Sequence, residues 1–209
     1  MRTLGKHLYT YIDPPNERHL EQICEVLGKG GVVALPAGTT WMFCCDAASK
    51  KGVSRIQLLK PMHPKEKPFS LICSSISMAA KMARINDHAY RSLARICPGH
   101  FTVLLKSSKM APKILDTKRA TVGIRIPDEP LTLAIVDYYG KPLIATSVPE
   151  DADGRLLRMG YTIQEHYGHG LDLVVDLGEE LIGQETTILD FTSGEAEVIR
   201  EGAGDLSAL

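Results

Sequence analysis

Three apolar runs close this chain in quick succession: "LDLVVDL" at 171–177, "TTILDF" at 186–191 and "AEVIRE" at 196–201. The gaps between them leave no room for a helical crossover, so some of the pairing there has to be antiparallel. Upstream the pattern changes. Residues 16–29 read as an amphipathic helix, with Leu20, Ile23, Cys24, Val26 and Leu27 on its apolar side and a stop at "GKGG". A buried strand "GVVALP" follows, then a helix over 49–60 through Val53, Ile56 and Leu59. Three prolines in the eight residues "PMHPKEKP" break the chain before the strand "FSLIC".

The spacing further predicts helices over 76–84 and 87–97, the second with Asp87 as N-cap, a strand in "GHFTVLLK", a short helix over 109–116 and a strand over 121–126. A helix over 129–139, the strand "PLIATS" and a helix near 161–168 complete the list. Strands alternating with helices indicate an α/β fold, here a twisted mixed parallel and antiparallel sheet with helices around it. With no linker or repeat in view, a single domain spanning 1–209 is expected. No strand runs into G-x-G-x-x-G, and G-x-x-x-x-G-K-[ST] does not occur, so neither a Rossmann nor a P-loop nucleotide site is expected.

No apolar run approaches the roughly 18 residues that cross a bilayer, and the N-terminus "MRTLGKHLYTYIDPP" lacks a secretory pattern, so the expected compartment is cytoplasmic, with no membrane partner. The five cysteines show no C-x-x-C spacing and read as reduced core residues. His166 and His169 are close in sequence, but no Cys, Asp or Glu cluster completes a zinc set, so no protein-held metal is expected. The net charge of -1 hides a division. Residues 50–125 hold 16 Lys or Arg against Glu66, Asp87 and Asp116, whereas the remainder holds 8 basic and 22 acidic residues. That asymmetry fits either a surface for nucleotide phosphates or RNA, or helix faces whose cations meet acidic neighbours in the fold.

One stretch, "TVGIR" at 121–125, carries a chemical suggestion. Val122, Ile124 and Ile126 point to one face of the strand; Thr121, Gly123 and Arg125 point to the other. The glycine would leave backbone open to a ligand between a hydroxyl and a guanidinium. Taken alone, Arg125 fits a carboxylate ligand and a structural salt bridge equally. Four further stretches place polar groups where a strand meets a loop: "PAGTTW" (36–41), "LLKPMHPKEKP" (58–68), "ATSVPED" (145–151) and "ETTILD" (185–190).

In this order, with "CPGHFTVLL" and the closing "VIREGAGDL", they resemble the YrdC/Sua5 family of threonylcarbamoyl-AMP synthases, most of all its YciO branch. The resemblance covers roughly 18–205. It implies a YrdC/RibB-like sheet around a large basic cavity, and a reaction in which L-threonine, bicarbonate and ATP with Mg2+ give threonylcarbamoyl-AMP and pyrophosphate for tRNA modification. Some members also bind double-stranded RNA. Carried over by motif, Lys60 and Arg125 would be catalytic. Lys60, Thr121 and Arg200 would hold ATP, and Arg125, Ser147, Thr186 and Lys67 would hold threonine. The departures are Met62 in K-x-R, Pro149 in S-x-N, Ala37 and Gly38 in P-T-[DE]-T, and His100 in P-G-P. Two readings follow: a synthase-type enzyme of altered or reduced activity, or a non-catalytic protein of the same fold that binds RNA or a nucleotide. Carbamoyl transfer in hydrogenase maturation is disfavoured, because zinc-finger cysteines and an acylphosphatase-like segment are missing.

Overall fold

The computed structural model describes residues 4–12, 14–60, 69–112 and 120–209. All eleven described strands join one sheet in the order β1-β9-β2-β3-β8-β4-β7-β6-β10-β11, with the short β5 paired to β6. The strands are β1 (Lys6–Tyr9), β2 (Val33–Pro36), β3 (Trp41–Asp46), β4 (Ser70–Ile72), β5 (Ala83–Arg84), β6 (Phe101–Ser107), β7 (Thr121–Arg125), β8 (Leu143–Ser147), β9 (Leu173–Asp176), β10 (Thr187–Asp190) and β11 (Glu197–Arg200). The helices are α1 (Glu17–Gly28), α2 (Lys50–Leu59), α3 (Ile76–Met82), α4 (Asp87–Ile96), α5 (Pro130–Tyr139) and α6 (Gly160–Tyr167). The sheet is mixed, as expected. β10 and β11 are antiparallel, while β10 lies parallel to β6 and β9 lies parallel to both β1 and β2.

The helices divide between the two faces. Val53 and Ile56 of α2, Ala79 and Met82 of α3, Leu93 and Ile96 of α4 and Ile163 of α6 pack on one face with Phe43, Leu71, Ile124 and Ile144. Leu20, Ile23 and Leu27 of α1 pack on the other with Leu131, Ile135 and Val136 of α5, over Val33, Met42, Cys44, Ile72 and Ala145. Among the described residues that second layer stops short. On the same face toward β11, Ser70, Leu104, Thr121 and Ile188 are only half-buried. Period-two alternation therefore yields a sheet sealed by four helices on one side and by two on part of the other.

Several elements differ from the sequence reading. "KHLY" and "WMFCCD" are strands that the pattern missed, the latter because all six of its residues are buried and it shows no alternation. The last two residues of the predicted helix 76–84 instead form β5 against β6. Residues 109–112 form a turn rather than a helix start, and the rest of that predicted helix, with most of "PMHPKEKP", falls outside the described residues. The N-cap of α4 is Asn86, not Asp87: its side-chain oxygen accepts from Ala89 N at 2.7 Å. One residue earlier is where the backbone leaves helical angles, and Asp87 becomes the first-turn acid that favours the positive helix end. The five cysteines are free, with Cys44, Cys45 and Cys73 buried. No described helix is long and apolar enough to cross a membrane. Asn86→Ala is expected to lower stability by about 1 kcal/mol and Asp87→Ala by a few tenths; urea unfolding of the two variants checks the assignment.

Candidate functional site

The face that Arg125 occupies is the one the alternation predicted. Val122, Ile124 and Ile126 lie in the four-helix core, and Arg125 points the other way. Its guanidinium is buried, and Nη1 approaches Met42 Sδ at 3.1 Å. Nε and Nη2 are buried with no hydrogen-bond partner. Among the described residues no carboxylate pairs with it, which favours the ligand reading over the structural salt bridge. Burial lowers its pKa to about 10, opposed by Cys44 and reinforced by the like charge of Arg200. A cation stripped of water and left with free donors is costly until an anion supplies the missing bonds.

Gly123 differs from its expected role. A Cβ there would meet Ser70 Oγ at 3.0 Å and Leu104 Cδ2 at 3.6 Å, so β4 and β6 cover the space meant for a ligand. The hydroxyl of Ser70, absent from the sequence reading, joins this face instead. It escaped because only the register of β4 with β7, Ser70 beside Gly123, brings it there.

Around Arg125 the structure gathers most of the expected residues. Met42 sits opposite Ser147 across β3 and β8, and Lys60, the C-cap of α2, donates from Nζ to the Ser147 carbonyl at 2.8 Å and to Thr146 Oγ1 at 3.4 Å. On the other side, Val103 pairs with Ile124, which puts Thr102 on the face of Arg125 one strand over. The hydroxyls of Thr102 and Thr186 share a buried hydrogen bond of 2.8 Å. Arg200 donates from Nε and Nη2 to the Thr186 carbonyl at 3.2 and 2.8 Å, and from Nη1 to Glu185 at 2.5 Å. Arg200 is thus fixed in place, with its guanidinium engaged by protein oxygens. Thr121 is the outlier, because the length of β7 separates it from Arg125, about 13 Å at ~3.3 Å per residue. Lys67 and the departing Met62 lie outside the described residues.

The two ends of this strip are brought toward each other by the curl of the sheet. The turn between β2 and β3 holds Ala37 and Gly38, and it rests against the loop after β7 and the residue before β6: a Cβ at Gly38 would stand 2.6 Å from the Asp128 carbonyl and 3.4 Å from His100 Nε2. These contacts join positions many strands apart in the sheet order. Thr132 of α5 locks the same turn by donating to the Pro36 carbonyl at 2.6 Å. The Thr39 hydroxyl is buried there without a partner. The arrangement offers a deep guanidinium for an anionic group, hydroxyls beside it, and cations on either side. Arg125→Met is expected to leave the ligand-free protein as stable or to stabilise it by about 1 to 4 kcal/mol in urea unfolding, since a flexible apolar side chain replaces an uncompensated charge.

Comparison with known proteins gives the family and the fold. The family model named for Sua5, YciO and YrdC, which carries the description telomere recombination, matches residues 25–202. YciO of Escherichia coli is 28% identical over 205 residues, covering 97% of this chain and 98% of YciO. Its crystal structure superposes with a TM-score of 0.91 over 98% of this chain and 99% of that one. The threonylcarbamoyl-AMP synthase of Halorhodospira halophila is 26% identical over 183 residues, 87% of this chain and 95% of the synthase. A crystal structure of Pyrococcus abyssi Sua5 complexed with L-threonine shares the fold at a TM-score of 0.83 and 22% identity, with 96% of this chain matching 58% of that longer one. With most of its length matched by one family model and its sheet reproduced in YciO, the chain belongs to the Sua5/YciO/YrdC family.

Proposed function

We propose that this protein binds ATP and L-threonine on the half-covered face of its sheet and forms threonylcarbamoyl-AMP from them with bicarbonate. The observation that carries the proposal is the Arg125 guanidinium, buried and without partners for Nε and Nη2. Those two donors suit the two oxygens of a carboxylate, and the threonine carboxylate is the anion that would satisfy them. The L-threonine complex of the Pyrococcus abyssi relative supports the choice of amino acid.

In this reading the threonine amine takes up bicarbonate with loss of water, and a carbamate oxygen attacks the α-phosphorus of ATP. Pyrophosphate leaves, and the mixed anhydride remains. Charge neutralisation and alignment would carry most of the acceleration. Lys60, anchored on the Ser147 carbonyl, supplies a cation beside the Arg125 subsite, and Arg200 supplies another across Thr186. Thr121, at the far end of β7, is left to the nucleotide, and Lys67 is a further proposed threonine contact. Mg2+ would arrive on the phosphates of ATP, since the described residues include no group of three His, Cys, Asp or Glu side chains suited to a metal. The departures at Ala37, Gly38 and Pro149 alter the hydroxyl and amide inventory around Arg125, and a changed rate or substrate range is the expected result.

A second reading has its own support. Lys81, Arg84, Arg91, Arg95, Lys106 and Lys109 are exposed on α3, β5, α4, β6 and the turn after it, and none forms an ion pair among the described residues. Of the described cations in 50–125, Arg55 is paired, with Asp172 at 2.5 Å. A groove lined by Arg84, Asn86, Lys106, Ser193 and Gly194 runs beside this surface. Such a field suits the phosphate backbone of double-stranded RNA or tRNA, whose binding would weaken steeply as salt rises.

The deciding measurement is pyrophosphate release from ATP with Mg2+, bicarbonate and L-threonine, omitting each in turn. Release is expected to require all of them and to fall about a hundredfold or more in Arg125→Ala. No release above that variant, with RNA binding abolished by Arg91→Glu and Arg95→Glu together, would favour the second reading.

A further inference from the structure

His100 stands at the edge of this site. It immediately precedes β6, and alternation from Phe101, which lies in the four-helix core, puts its ring on the face of Thr102 and Arg125. The ring is half-buried, and the hydrogen bond that His100 makes is through its carbonyl, which accepts from Thr187 N at 3.1 Å. Its Nε2 faces Gly38, where a Cβ would come within 3.4 Å of it and within 2.6 Å of the Asp128 carbonyl, at a backbone φ of +74°. Position 38 is therefore closed to a side chain, and the imidazole is the functional group presented at that spot. The next residue along the turn, Thr39, has a buried hydroxyl with no partner among the described residues.

Three groups with hydrogen-bonding capacity unused among the described residues thus belong to elements that meet here: Thr39 follows Gly38 in the β2–β3 turn, His100 precedes β6, and Arg125 ends β7. Their chemistries differ. The guanidinium only donates and suits a carboxylate. The imidazole and the hydroxyl each donate or accept, and the partner that satisfies them in either tautomer or rotamer is an alcohol. An ammonium offers donors alone, and a methyl group offers nothing.

We infer that His100 contacts the ligand directly, reading the side-chain hydroxyl of the amino acid whose carboxylate Arg125 holds, while Gly38 stays bare to leave room for that contact. The inference rests on the amino-acid reading given above and adds a specificity residue to it. The competing role is packing, in which the ring does no more than fill the junction of the three loops.

The test compares L-threonine with L-2-aminobutyrate, which has the same skeleton without the hydroxyl. Binding is measured by calorimetry on wild type and His100→Ala, with a non-hydrolysable ATP analogue and Mg2+ present, alongside thermal unfolding. Wild type is expected to prefer threonine by about tenfold, and the variant to lose that preference while its affinity for aminobutyrate stays unchanged. Equal weakening of both ligands, or a preference that persists in the variant, would overturn the inference and leave the proposed function standing. Failure of wild type to bind either amino acid would overturn both. If His100→Ala does not fold, the 15N shifts of the His100 ring in wild type decide: they should move with threonine and not with aminobutyrate, and a ring indifferent to both sinks the idea.

Discussion

A guanidinium held inside the protein, without a counter-ion among the described residues, is the constraint around which the rest of this structure is arranged. Arg125 reaches its position because β7 is a central strand, bounded by β4 and β6, whose other face is sealed by apolar side chains. The strand cannot slip by one residue without driving Val122 and Ile124 out of the four-helix core and Arg125 into it. Burial of those two residues therefore holds the charge under. The cost is local, and the large core formed on both faces of the sheet offsets it. Both unmatched donors are those that a carboxylate needs.

How legible this was in the sequence depended on whether the information was local. The strand carrying Arg125 was legible because its two faces differ in polarity residue by residue, and α1 was legible because Leu20, Ile23 and Leu27 repeat at helical spacing. β3 was not, since a strand buried on both faces has no alternation and "WMFCCD" follows a turn rich in small polar residues. β1 was missed for the opposite reason: it is a short edge strand, half exposed, and its place is set by pairing with β9 more than 160 residues later.

The site shows the same division. Lys60, Ser147, Thr186 and Arg200 were singled out by motif order, but their contacts were not foreseeable. That Lys60 bonds the Ser147 carbonyl, and that Arg200 is held by the Thr186 carbonyl, follows from side chains meeting backbone across distant elements. Gly123 misled for a related reason. A glycine in a strand signals a close approach without saying whether the neighbour is a ligand or, as here, Ser70 and Leu104. The departures Gly38 and His100 looked independent in sequence, being more than 60 positions apart, yet in the fold they face each other.

The strand order has a consequence for how the chain is made. β9 lies between β1 and β2, so β1 has no partner among the described strands until residues 173–176 have been synthesised, and β10 must likewise arrive before the far flank beyond β6 is complete. At roughly 5 to 20 residues per second the N-terminal strand waits on the order of ten seconds or more, with its edge unpaired. The closing pairings span most of the chain and are the slow kind. Truncations that remove the last 40 residues would therefore strip partners from both ends of the sheet at once, so the termini, though far apart in sequence, behave as one cooperative unit during folding.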